Sequence, residues 1–453
     1  MKQHSTEQIN WETKLRRIML KSCNNKELEF NNLGHVIDID MLHSCYESLE
    51  GSKARGIDKV SKEEYAEKLA GNLTNLLCKI RRGTYKPQAT RMVEIPKSDG
   101  GLRPLSISCF EDKIVFDAVR RILHCIFEPI FEENSHGFRQ NRNCHTALQV
   151  LNKQLMDYKT GAVLDVDIKQ CFNTINHGKL IEILSSKIKD KRFLNLIIKL
   201  IKMESLDNLG QIIKSSMGTP QGSILSPLLC NIFLDEVVDK WIRKLNVKAF
   251  AGQIQMVRYA DDMVFVTSGL TSAEKLKTLL SDRLREYGLE LHPDKTKVIK
   301  CGQKEAFKIL KRKEKFPTFD FLGFTHVWCL SMKRKTKEMF ARIKLITSGR
   351  RFRKSLKMMK EFIKKNRHSC SLIQEVKQRV VGYLNYFAIN DNGRRINNYV
   401  YEVERMLFKW LNRRSQKMSV NWEQFNRVLR ANNFPKPKIL HNLFFNGKNY
   451  GKT

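Results

Sequence analysis

Three carboxylates stand where they could do chemistry. Asp261 and Asp262 follow Tyr259-Ala260 between two apolar runs, and Asp167 ends the apolar run Gly161-Ala162-Val163-Leu164-Asp165-Val166. Adjacent anions repel unless cations bind them, and hard carboxylate oxygens suit Mg2+. Two such ions, about 3.5–4 Å apart, can stabilise both the attacking and the leaving oxygen of an in-line displacement at phosphorus. A lone Asp after a strand is usually a turn or cap residue. A Tyr-x-Asp-Asp turn between apolar strands is much rarer, and it is the stronger signal.

For the carboxylates to meet, the elements carrying them must share a sheet. Ile254 to Thr267 reads as strand, turn, strand. Ala273 to Tyr287 has helical spacing, and Leu289 to Lys300 begins another extended segment. With the run ending at Asp167 and the helical stretch Lys179–Lys202, this gives β, α, β-turn-β, α, β, the order of a split βαβ, ferredoxin-like unit. Upstream, Met92 to Pro96 and Leu102 to Ile107 flank Ser98-Asp99-Gly100-Gly101 and predict a β-hairpin. Helices are expected over 61–82 and 112–131, and another opens after Gly218-Thr219-Pro220-Gln221-Gly222.

The charge balance points to the partner. The 453-residue chain carries 82 Lys+Arg against 47 Asp+Glu, a net +35. Such an excess repels itself unless a polyanion neutralises it, and nucleic acid is the obvious one. The excess is uneven: residues 331–453 hold 30 Lys+Arg and 7 Asp+Glu, a net +23, which leaves +12 for the first 330. The 11 cysteines form no C-x-x-C pair and sit beside no His cluster, which argues against a disulfide framework or structural zinc; they are expected to be buried small hydrophobes. With no signal-like N-terminus and no run of about 18 apolar residues, the protein is expected to be soluble and cytoplasmic, in a bacterial or organellar interior and associated with the nucleoid, with no membrane partner.

Several segments in order carry a family resemblance: Gly56-Ile57-Asp58; Ile95-Pro96-Lys97 with Gly100 to Leu105; His136-Gly137-Phe138-Arg139; Asp167-Ile168-Lys169; Pro220-Gln221-Gly222-Ser223; Tyr259 to Asp262; Asp294-Lys295-Thr296; and Phe321-Leu322-Gly323-Phe324. The chain resembles a group II intron-encoded reverse transcriptase, or maturase. The resemblance implies an α+β right-hand polymerase: an N-terminal extension (1–50), fingers (51–160), a ferredoxin-like palm (161–330) and an all-α basic thumb/maturase region (331–453). It implies an RNA-directed DNA polymerase that uses two Mg2+ ions (or Mn2+), held by Asp167, Asp261 and Asp262, to extend a DNA primer on an RNA template with dNTPs. Lys97 and Arg103 would clamp the triphosphate, Gln221 would line the nucleotide, Phe172 would act as a steric gate against the 2′-hydroxyl, and Lys295 would meet the pyrophosphate. Two positions after Phe172 depart from the family's common Asp, being Asn173 and Asn176, and His136 stands where the family has Tyr.

Residues 331–367 hold 15 Lys/Arg and 2 acidic residues, interleaved with Phe340, Phe352 and Phe362. Lys333, Arg334, Lys335, Arg350, Arg351, Arg353 and Lys354 are the expected nucleic-acid contacts. Val376, Val380, Tyr383, Leu384 and Phe387 form one apolar stripe; Ile396, Tyr399, Val400, Val403, Leu407 and Trp410 form another. Val381 to Phe387 resembles the maturase thumb, which in the family binds a structured intron RNA to assist splicing. No His-Asn-His endonuclease pattern follows. Two alternatives stand beside this reading: a domesticated relative serving defence or DNA repair, and an RNA-folding splicing cofactor with dispensable polymerisation.

Overall fold

The computed structural model describes residues 10–96, 101–207, 210–213, 217–219, 222–332, 336–413 and 420–443, without the side chain of Arg103. Among them are eleven strands: β1 (Thr90–Pro96), β2 (Leu102–Ile107), β3 (Gly161–Asp167), β4 (Ser205–Leu206), β5 (Ile212–Ile213), β6 (Gln255–Tyr259), β7 (Asp262–Thr267), β8 (Lys297–Cys301), β9 (Phe319–Phe321), β10 (Phe324–Met332) and β11 (Met339–Thr347). They form three sheets, ordered β2-β1-β4-β5, β6-β7-β3-β8 and β11-β10-β9.

The central sheet is the expected split βαβ unit. In chain order its strands are first β3, second β6, third β7 and fourth β8, so the spatial order is 2-3-1-4 with every pairing antiparallel. Its apolar runs are nearly continuous because both faces are covered. Leu164, Val166, Met263 and Phe265 join one core with helices Phe110–Phe127, Ser226–Leu234 and Leu270–Glu286. Val163, Val257, Val264 and Val266 join another, with helix Cys144–Asp157, the third sheet and the C-terminal helices.

The hairpin expected around residues 90–108 is present, registered from Arg91↔Ile107 to Pro96↔Leu102. Lys97 and Ser98 to Gly100, which follow β1 in the sequence, lie outside the described residues, as do Pro220, Gln221 and Lys333 to Lys335. The region after residue 331 is not all helical as expected. Phe324–Met332 and Met339–Thr347 pair along their whole length, Phe324↔Thr347 to Met332↔Met339, so the boundary expected near residue 330 falls inside β10. Ala341, Ile343 and Leu345 are buried while Arg342 and Lys344 are only partly so, a period of two that the dense charge obscures.

Helices Gly349–Lys365, Leu372–Phe387, Gly393–Leu411 and Trp422–Ala431 follow. The two expected apolar stripes are buried, apart from half-buried Trp410, and the Tyr383 and Tyr399 rings stack at 3.5 Å where they meet. Phe352 and Phe362 pack against this core instead of lying free on the surface. Of the cysteines, Cys45, Cys109, Cys125, Cys171, Cys230 and Cys301 are buried; Cys23, Cys78 and Cys370 are exposed, contrary to expectation. No described helix is long and apolar enough to cross a membrane.

Candidate active site

Asp167 is the last residue of β3 and Asp262 the first of β7, and the two are directly opposed in register. Opposed residues place their Cβ atoms about 5 Å apart. Asp262 also pairs with Tyr259, so β6 and β7 are joined by the two-residue turn Ala260-Asp261. The antiparallel sheet thus brings the three expected carboxylates to one edge. Packed surroundings, then the Asp261 and Asp167 charges, push the Asp262 carboxyl up to about 7, although the residue is exposed to solvent. Asp165, unremarked in the sequence, lies two residues before Asp167 on the same face; burial, then Asp262 and Asp167, push it up to about 7 as well. Strand alternation alone could have found it.

Among the described residues no group of three or more His, Cys, Asp or Glu closes into a metal-binding cluster. The carboxylates line an open edge, and Lys295 Nζ lies 3.0 Å from Asp167 Oδ2. The donor set nevertheless fits a hard divalent cation: oxygen ligands only, mutually repelling, and reachable from solvent.

The residues expected to meet the nucleotide are placed unevenly. Phe172, half-buried on the short helix Cys171–Thr174, accepts a hydrogen bond at its carbonyl from the Thr219 amide (2.8 Å), which ties it to the loop leading into Gln221. Gly222 (φ 103°) lies against β2, where a Cβ would come 3.0 Å from the Ser106 carbonyl oxygen. A cavity of about 730 Å3 opens there, lined by Val93, Ile95, Leu105, Lys53, Arg120 and Gly222 among others. Lys97 and Gln221, and the side chain of Arg103, fall outside what is described. Asn176 has a local reason to be Asn, since its side chain caps helix His177–Lys187 by accepting from the Lys179 amide (3.1 Å).

The third sheet and its following helix reach the same edge. The Phe321-Leu322-Gly323-Phe324 turn joins β9 to β10, and the Tyr386 hydroxyl donates to the Leu322 carbonyl (2.8 Å). Arg350, Arg351 and Arg353 are exposed and Lys354 half-buried at the start of helix Gly349–Lys365. Arg351 lies beside Gly323, and its charge lowers the Asp262 carboxyl against the larger upward effects. Cations at a helix N-terminus oppose its dipole, so this cluster is better suited to an external anion than to the helix itself.

The description reverse transcriptase (RNA-dependent DNA polymerase) fits residues 95–326, half of the chain. The chain is 38% identical over 239 residues to the group II intron-encoded protein LtrA of Lactococcus lactis subsp. cremoris, covering 52% of this chain and 39% of that one. It is 29% identical over 341 residues to a putative COX1/OXI3 intron 1 protein of Saccharomyces cerevisiae (65% of this chain, 40% of the relative). Against protein YkfC of Escherichia coli it is 31% identical over 284 residues (55% of this chain, 74% of the relative). The matches thus span about two fifths of the first two relatives. On the match over residues 95–326 and these relatives, the chain belongs to the reverse transcriptase family, and it is similar to the family's group II intron-encoded members.

Proposed function

We propose that the chain is an RNA-directed DNA polymerase of group II intron type that extends a DNA primer on an RNA template. The observation that carries this reading is the cross-strand pairing of Asp167 with Asp262 beside the Ala260-Asp261 turn. Asp167, Asp261 and Asp262 would hold two Mg2+ ions, which when bound supply Lewis-acid stabilisation of the attacking and leaving oxygens. Lys97 and Arg103 would clamp the triphosphate, with Gln221 against the nucleotide. Phe172 would exclude a 2′-hydroxyl by its bulk, its backbone tethered to the Gly218-Thr219 loop. Lys295 sits on Asp167 at 3.0 Å, near enough to the carboxylates to meet a departing pyrophosphate.

In this reading the first sheet and its helices are fingers, the central sheet the palm, and the C-terminal helices a thumb. Arg350, Arg351, Arg353 and Lys354 would then meet backbone phosphates beside the carboxylate edge, and Lys333, Arg334 and Lys335 would add further phosphate contacts. The net +23 after residue 331 and the intron-encoded relatives support a second role, binding a structured intron RNA as a maturase.

The test is primer extension on a primed RNA template with dNTPs and Mg2+. Wild-type protein should extend and Asp167→Asn should not; no extension by wild type, or undiminished extension by the variant, would overturn the reading. Phe172→Ala should raise ribonucleotide incorporation. Splicing left intact by an Asp261→Ala variant that makes no cDNA would assign the biological role to RNA folding alone.

A further inference from the structure

Behind the carboxylate edge, on the opposite face of the central sheet, lies a charge that neither the reaction nor the electrostatics of the surface needs. Arg258, the residue before Tyr259 on β6, is fully buried. Its Nε donates to Asp239 (2.9 and 3.0 Å), and its Nη2 donates to the same carboxylate. Asp239 closes a π-helical turn, Asp235–Asp239, and is itself buried. The remaining nitrogen, Nη1, donates to the Asn231 side-chain oxygen (2.8 Å) and to the carbonyl of Ala260 (3.2 Å).

That last bond matters because of where Ala260 sits. It is the first residue of the turn, with φ 57°, a conformation that costs an L-residue about 1–2 kcal/mol. Its carbonyl belongs to the peptide that carries Asp261. The other side of the turn is held as firmly. Asn231 Nδ2 donates to the Gly137 carbonyl (2.7 Å), and Gly137 lies so close to the turn that a Cβ would come 2.3 Å from the Ala260 nitrogen. The strand-like segment 134–136 is bonded to Arg258 itself, through His136 N to Arg258 O (2.8 Å) and Arg258 N to Asn134 O (2.9 Å). Arg258, Asn231, Gly137 and Ala260 therefore close a ring of contacts around the strained turn.

We propose that Arg258, anchored by Asp239 and Asn231, is a positioning residue that fixes the Ala260–Asp261 peptide so that Asp261 and Asp262 present their oxygens to divalent cations. This rests on the reading of those carboxylates as metal ligands. A planar guanidinium is suited to the task because one rigid fork reaches a carboxylate, an amide oxygen and a backbone carbonyl together; an ammonium is a point charge that cannot span all three. If stability alone were the purpose, a buried ion pair would be a poor device, since apolar residues of similar volume often replace one at no cost.

The experiment exploits that difference. Arg258→Met/Asp239→Leu removes both charges together, and Arg258→Lys keeps the charge but loses the fork. Each is compared with wild type by thermal unfolding, by Mn2+ binding followed by electron paramagnetic resonance, and by steady-state primer extension. The double variant should keep its unfolding midpoint within about 4 °C. Both variants should lose about 10- to 100-fold in Mn2+ affinity and kcat, as loss of a partner behind a metal ligand typically does, with KM for dNTP unchanged. A folded double variant with wild-type Mn2+ affinity and kcat overturns the proposal, as does a collapse of the unfolding midpoint in both variants, which would make Arg258 a residue of the fold alone. Wild-type protein that neither binds Mn2+ nor extends a primer overturns the underlying reading instead.

Discussion

The two faces of one sheet edge use the same pairing of cation and carboxylate to opposite ends. In front, Lys295 lies on Asp167 with both side chains open to water, 52% and 34% exposed. Behind, Arg258 and Asp239 are both 0% exposed. The front pair is weak and exchangeable, because water and salt compete with it, so another cation can take its place. The rear pair cannot exchange: removing one partner would strand a buried charge. An open, exchangeable ion pair is thus mounted on a fully buried one.

Substitutions can sharpen or break this contrast, from the largest expected effect to the smallest. Asp261→Asn removes one of the carboxylates proposed to hold the metal ions and should lower kcat by about 1,000-fold or more while leaving the unfolding midpoint near wild type. Arg258→Met alone leaves Asp239 buried and unpaired, and should destabilise by about 3–5 kcal/mol in chemical unfolding. Gly137→Ala drives a methyl into the turn backbone and should cost about 1–3 kcal/mol with a matching fall in kcat; an unchanged kcat would mean that the turn shifts without consequence.

The rear scaffold also predicts a pH dependence. Burial, then nearby Arg142, Arg139 and Arg258, hold the His136 imidazole down to about 4, below its ordinary 6.5. Between those values the unfolded chain binds the proton and the folded one does not, so stability falls as pH drops from about 6.5 to about 4, by at most about 1.4 kcal/mol per pH unit from this group. His136→Gln should make the plot of unfolding midpoint against pH shallower over that window. Lys295→Ala should be the mildest change, under about 1 kcal/mol in stability, and its effect should vanish at high salt if the front pair is as exchangeable as its exposure indicates.

Much of the central sheet was legible from residue order. Apolar runs ending in Asp167 and flanking Asp261-Asp262 predict strands, and the intervening helical spacings predict the split βαβ order found. The hairpin around residue 98 was equally plain, because Asp-Gly-Gly between two extended runs is local turn chemistry. The β10–β11 hairpin was missed because charge density masked its alternation. Asp165 was missed although the same alternation exposes it.

Sequence by itself determined the chemistry available: three carboxylates at turn and strand ends, a strongly basic stretch over residues 331–453, and segments in the order of a known family. These are properties of residue type and spacing, which local backbone preference converts directly into elements. Only the tertiary structure decided that Asp167 faces Asp262, that Lys295 rests on Asp167 and not on adjacent Asp294, and that Arg258 finds Asp239, Asn231 and the Ala260 carbonyl. Those pairings join residues far apart in the chain or, like the Arg258–Ala260 bond, depend on a turn held from outside. No periodicity encodes them, because they arise when two packed layers close on each other and most buried polar groups find a partner.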